Sequence, residues 1–120
     1  MEMHDLLTKA LRSVLTVPLM PAPGRLGVPS AVYRCRPGRS DGALQTAHLT
    51  VRVFHRTPQE AAAEIAAVRK RLSADGDSGV VGEGGGALVI CGTDEGGAAG
   101  RVRGMDLYYV QAGFEVLGRV

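Results

Sequence analysis

The sequence predicts an α+β fold: an antiparallel-rich four-stranded sheet packed on one face by two helices, in the order helix-strand-strand-helix-strand-strand. Three observations carry this expectation. Residues Leu44–His55 (LQTAHLTVRVFH) alternate apolar and polar side chains with the period of two of a half-buried strand. Directly after them, TPQE opens an Ala-rich stretch bearing the marks of a capped helix. The remaining apolar runs are short and separated by clusters of Gly, Pro, Ser and Asp, which punctuate strands and turns.

The first element is a helix over residues 3–15. Leu6, Leu7, Leu11, Val14 and Leu15 share one face at the spacing of an amphipathic helix. Acidic Glu2 and Asp5, and periodic rather than contiguous apolar residues, distinguish it from a secretion signal. Pro18 ends it, and Pro21, Pro23, Gly24, Gly27 and Pro29 predict an irregular linker over 18–30. The core of the domain is then 31–120, within a single domain 1–120.

Residues 31–36 (AVYRCR) read as a strand with Tyr33 and Cys35 on one side and Val32, Arg34 and Arg36 on the other. PGRSDG, 37–42, predicts an exposed hairpin loop. In Leu44–His55, Ala47, Leu49, Val51 and Val53 form the packed face; Thr46, His48, Thr50 and Arg52 form the other. The second helix starts at a capping box in which Thr57 accepts from the Glu60 amide and Glu60 reaches back to the Thr57 amide. Pro58 takes the first helical position. Ala61, Ile65, Val68 and Leu72 make its buried stripe, and Arg69, Lys70 and Arg71 suit the negative end of the helix dipole.

SADGDSG closes that helix as a loop. Residues 87–93 (ALVICGT) predict a short central strand, and 105–117 a final strand with Tyr108, Val110, Ala112, Phe114 and Val116 on one face. Between them DEGGAAGRVRG predicts a second hairpin loop. A 13-residue strand spans roughly 43 Å, against a radius of gyration of about 14 Å for a domain of this length. The last strand must therefore bend, with Gly113 as the candidate, or extend past its own core.

Composition limits function. At 45% hydrophobic and 22% charged residues the chain is ordinary globular material, but with 4% aromatics and no Trp its core is thin. Part of its stability is then expected from partner subunits. A net charge of +2 is too small to announce nucleic-acid binding. Cys35 and Cys91, each in an apolar stretch, are expected as reduced, buried thiols of a cytoplasmic protein. No apolar run reaches the ~20 residues of a membrane span.

Tests for chemistry come out empty. Gly82–Ala87 looks like a degraded dinucleotide loop, but an apolar strand follows it where a helix is required. His48 and His55 lie seven apart on one strand, on opposite faces, and neither Cys has a second ligand at metal spacing. Asp75, Asp77, Asp94 and Glu95 are read as solvated loop residues. No cofactor, metal or catalytic residue is expected. The basic residues are more informative: Arg34, Arg36 and Arg52 fall opposite the helix-packed side, with Arg39 in the adjoining loop. A solvated sheet face, a partner-protein surface and direct DNA contact are the open readings.

In its order of elements the chain resembles the tail-completion (tail terminator) proteins of long-tailed bacteriophages and phage-derived tail machines. The residues that carry the resemblance are the PSAVYRCR segment, the strand-cap-helix run LTVRVFHRTPQEAAAEIAAVRKRL, and the closing strand DLYYVQAGFEVLGR. The resemblance implies a non-enzymatic, six-subunit ring that ends the tail tube and meets the head connector protein. It would act in the cytoplasm during assembly and then in the virion, at the head-proximal end of the tail. Partners would be further copies, the tail tube protein and the connector, with no membrane. Ring contacts would use sheet edges and the loops around 37–43 and 94–104. This makes Arg34, Arg36, Arg39, Asp41, Arg52, Arg101 and Arg103 the candidate contact residues. A head-side neck protein, a small ligand-binding α+β module and an enzyme are the competing readings.

Overall fold

The computed structural model describes residues 3–21, 29–41, 44–72, 80–81, 87–91 and 98–119. Two helices, α1 (Met3–Val14) and α2 (Pro58–Leu72), accompany seven strands. These are β1 (Leu19–Pro21), β2 (Ser30–Asp41), β3 (Leu44–His55), β4 (Val80–Val81), β5 (Ala87–Cys91), β6 (Ala98–Arg101) and β7 (Tyr108–Arg119). The fold is α+β as expected, and the four predicted strands are the four longest of the sheet, β2, β3, β5 and β7. The sheet runs β1-β2-β3-β7-β5-β4, with β6 also on β7. Every pairing is antiparallel except β1 with β2.

Three expectations are corrected. The linker 18–30 contains β1, which pairs Leu19–Pro21 with Ala31–Tyr33; Pro21 is tolerated because β1 is an edge strand. PGRSDG is strand through Asp41, carried past a bulge between Pro37 and Ser40. At the bulge Gly38 passes so close to Thr46 that an added Cβ would stand 2.5 Å from Thr46 Oγ1. The 94–104 loop gives way to β6 at 98–101 and a tight turn at 102–107, where Val102 N–H donates to the Leu107 carbonyl at 2.7 Å. Gly104 takes φ +80° there. The loops expected over 73–79 and 94–97, and the glycine run 82–86, lie outside the described residues.

β7 does not bulge at Gly113, which pairs in register with Thr50. Its twelve residues pair in unbroken register with all twelve of β3, from Leu44↔Arg119 to His55↔Tyr108. Its other edge is shared: β6 takes Tyr108–Gln111 and β5 takes Glu115–Arg119. The length is accommodated in the shape of the molecule, 47 × 26 × 24 Å with a radius of gyration of 14.3 Å.

Both helices pack on one face. Leu7, Ala10 and Leu11 of α1 and Ala61, Ile65, Val68 and Leu72 of α2 bury against Ala31, Tyr33, Ala47, Leu49, Val51, Val53, Ala112, Phe114 and Val116. Val14 and Leu15 pack at the margin; the side chain of Leu6 lies outside the described residues. Cys35, expected to be buried, is half-buried at the edge of this core and free, and burial pushes its thiol pKa up. The Cys91 side chain lies outside the described residues. The cap of α2 forms as expected at the Glu60 amide, which donates to Thr57 Oγ1 at 3.2 Å. The return bond differs: the Thr57 hydroxyl donates to Glu60 Oε1 at 3.0 Å, where the expectation had the Thr57 amide as donor.

One buried charged residue escaped the sequence pattern. Glu64, 7% exposed in the middle of α2, accepts from the backbone amide of Thr16, 3.3 and 3.2 Å from its two oxygens, and from the Thr16 hydroxyl. This ties the chain leaving α1 to the flank of α2.

Candidate functional site

Strand parity decides what the opposite face carries. Because successive side chains alternate, burying Leu49, Val51 and Val53 under the helices sends His48, Thr50, Arg52 and Phe54 to the other side. Register then assembles four rows across β2, β3 and β7: Ser30–Phe54–Tyr109, Val32–Arg52–Gln111, Arg34–Thr50–Gly113 and Arg36–His48–Glu115. No described helix covers this face. Val32, Arg34, Arg36, Thr50, Arg52, Phe54 and Gln111, with Tyr33, line an open concavity of about 410 Å³.

One end of the face is tied together by side-chain contacts. Arg52 Nε donates to Gln111 Oε1 at 2.9 Å, and its guanidinium lies 4.6 Å from the centroid of the Tyr109 ring. Phe54 meets the same ring at 6.2 Å in a tilted arrangement. β6 lets the ring lie down: a Cβ at Gly100 would stand 2.9 Å from the Tyr109 hydroxyl and 3.0 Å from its ring carbons. Arg52 is thus held in place where it lines the concavity. At the other end Arg34 and Arg36 are exposed, and they form no ion pair among the described residues. Glu115 stands two strands from Arg36, roughly 10 Å away.

The remaining candidates lie elsewhere. Arg101 serves its own turn, donating from Nε to the Met105 carbonyl at 3.1 Å and from Nη2 to Asp106 Oδ1 at 3.0 Å. Arg103 is exposed in the same turn. On β3 this end sits seven residues from the Arg36 row, about 23 Å along the strand. Arg39 and Asp41 belong to the backbone of β2 beyond the bulge, and their side chains lie outside the described residues. The structure therefore brings Arg34, Arg36 and Arg52 together and keeps Arg101 and Arg103 apart from them. Sequence reasoning missed Tyr109, Gln111 and Phe54, which complete the face; the parity of 108–117 in the sequence held the signal for the first two.

Chemically the face offers guanidinium donors, a hydroxyl and apolar walls: it can hold anionic groups beside apolar ones. Among its described residues it pairs no nucleophile with a base. Among the described residues of the whole chain no group of three or more His, Cys, Asp or Glu is placed to hold a metal ion. A second cleft of about 290 Å³, lined by Val14, Thr16, His55, Glu60, Ala63, Glu64 and Ala67, is built of structural contacts. Glu64 is engaged by Thr16, and His55 Nδ1 lies 3.1 Å from Glu60 Oε2 and 3.0 Å from the Arg56 amide. No described helix is long and apolar enough to cross a membrane.

No protein-family model matches the chain, and no curated protein matches its sequence. Among solved structures, a chain of the virion of a native gene transfer agent particle has the same fold. The two superpose with a TM-score of 0.60 over 98% of this chain and 95% of that chain, at 15% identity. Identity this low speaks for the architecture, and the same architecture can serve more than one role.

Proposed function

We propose that the chain is a structural subunit of a phage-derived particle, forming a ring that ends a tail tube and joins it to the head connector. The observation that carries this reading is two-way coverage: the fold is shared from end to end with a virion chain, with little left over in either. The sequence resemblance to tail-completion proteins supports the same role independently of the superposition. A thin, aliphatic core and a charged, open sheet face suit a subunit that completes its surface on assembly. Nothing in the described residues calls for catalysis, and the chain is read as a non-enzyme.

The test is the mass of the purified protein by light scattering at several concentrations, with negative-stain imaging of the heaviest species, alone and with purified tail tubes. Six-fold rings that seat on one end of the tubes are the expected result. Rings that ignore tubes and bind the connector would move the subunit to the head side of the neck. A monomer that neither assembles nor binds tubes would sink the proposal.

A further inference from the structure

The arginine face carries charge that no described carboxylate takes up. Arg34 and Arg36 are exposed on β2, and Arg52 stands on β3 opposite Val32. The ion pairs among the described residues, His55 with Glu60 and Arg101 with Asp106, involve none of the three. Arg52 is held instead by neutral partners, the Gln111 amide oxygen at 2.9 Å and the Tyr109 ring, which position its guanidinium and leave the positive charge uncompensated. The spacing is regular. Arg36, Arg34 and Val32 follow one another at every second residue of β2, about 6.7 Å apart. Arg52 is the diagonal neighbour of Arg34 on β3, about 7–8 Å away, and Phe54 follows it on the same face. From one end to the other the face offers two exposed guanidinium groups, then a positioned one, then the apolar side chains of Val32 and Phe54.

We infer that this face binds an extended acidic segment of a partner protein, with carboxylates at alternate positions followed by a large apolar residue. An extended chain sets side chains i, i+2 and i+4 on one side at the same repeat of about 6.7 Å, so successive carboxylates meet Arg36, Arg34 and Arg52 in turn. The apolar residue then lies at the Val32 and Phe54 end of the concavity, whose volume of about 410 Å³ takes a few side chains of such a segment. Arg52, oriented by Gln111 and Tyr109 before anything binds, meets its carboxylate with little ordering left to do. A nucleic-acid strand matches the charges and not the rest. Single strands are held by base stacking, and the rings of this face are already engaged: Phe54 is 7% exposed and packs on Tyr109, which has Arg52 over its ring and Gly100 beside it. The inference does not rest on the ring reading above, since the face is complete in one copy.

The test is fluorescence anisotropy of a labelled peptide of alternating Glu and Thr ending in Leu, titrated with the full chain at low salt. Saturable binding is expected, and a peptide of the same composition with its Glu residues in one block should bind more weakly. Arg34→Gln/Arg36→Gln should weaken binding of the alternating peptide about tenfold. Lys9→Gln/Arg12→Gln removes the same charge from exposed positions of α1, on the other side of the sheet, and should leave binding unchanged. Circular dichroism checks that both double variants keep the fold. Equal weakening by the two double variants, or equal binding of the block peptide, overturns the inference in favour of unspecific attraction. No binding up to millimolar peptide overturns it outright. A short oligothymidylate or a DNA duplex that binds more tightly than the peptide, and is lost with Arg34→Gln/Arg36→Gln, overturns it in favour of a nucleic-acid surface. Rings that form in a protein deaf to the peptide sink this inference and leave the ring reading standing; peptide binding by a protein that never forms rings does the reverse.

Discussion

Glu64 and Thr16 are 48 residues apart in sequence and share a carboxylate-to-amide contact of 3.2 Å. The Thr16 hydroxyl donates to the same carboxylate. A charged acceptor engaged by both donors of one residue fixes how the chain departs from α1 and where α2 lies beside it.

Glu64→Ala removes that acceptor and leaves the Thr16 amide without its partner. We expect a loss of about 1–3 kcal/mol, read from the midpoint of urea unfolding. Glu64→Gln keeps an acceptor oxygen and loses the charge, and its midpoint should fall between the two. Equal midpoints for all three proteins would show the contact to be incidental.

The cap of α2 offers a cleaner local test. Thr57→Ala deletes the hydroxyl that accepts from the Glu60 amide and donates to its carboxylate. The expected cost is about 0.5–2 kcal/mol. Thr57→Ser keeps both bonds and should recover most of it, with exchange of the first-turn amides as the site-specific readout.

Gly100→Ala probes the ordered end of the open face. The new methyl group meets the Tyr109 ring, which is itself held between Arg52 and Phe54. Overpacking of this kind typically costs about 1–3 kcal/mol. Moving the ring should shift the Tyr109 and Arg52 side-chain resonances while leaving those of α1 unchanged. Unmoved resonances would mean that the ring has room the structure does not show.

Ile65→Ala opens a cavity in the fully buried stripe of α2 against the sheet. The expected loss is about 2–5 kcal/mol, a large share of the roughly 5–15 kcal/mol typical of a domain. If unfolding is unaffected, α2 is not part of the cooperative core.

Cys35 gives the pH dependence. Desolvation by burial raises its pKa, so the folded state holds the proton more tightly than the unfolded chain. The sign follows: above the ordinary thiol range the unfolded state loses the proton first, and stability declines as pH rises toward the folded value. Alkylation at mildly alkaline pH should be slower in the native protein than in urea, and Cys35→Ser should flatten the alkaline decline. A native thiol that reacts as fast as the unfolded one contradicts this.

Much of this architecture can be read from residue order. Parity on β3 is unambiguous because Leu49, Val51 and Val53 alternate with Thr50 and Arg52, and that alternation alone puts the arginines on the correct face. Likewise TPQE specifies the start of α2 through purely local bonds. What escapes depends on distant partners. β1, β4 and β6 are two to four residues long, too short to show a period, and are strands only because a longer neighbour receives them. PGRSDG has the composition of a turn, yet through Asp41 it pairs with β3 past a bulge. Glu64 has the residue type of a solvent-facing charge, and its burial depends on a partner outside its own helix. The concavity needs Phe54 and Gln111 from two strands, a pairing that no single segment announces.

The position of β7 has a consequence for how the protein is made. Its neighbours β3, β5 and β6 all precede it in the chain, yet among the described residues none of these three is paired to another. Until residues 108–119 are synthesised, β1, β2 and β3 can form one fragment and β4 and β5 another, with no strand between to join them. Insertion of β7 zips the two fragments in a single step dominated by contacts distant in sequence, which are slow to form. Ahead of that step, the ribosome presents two open strand edges, and a chaperone or a second nascent chain has its longest opportunity to pair with them.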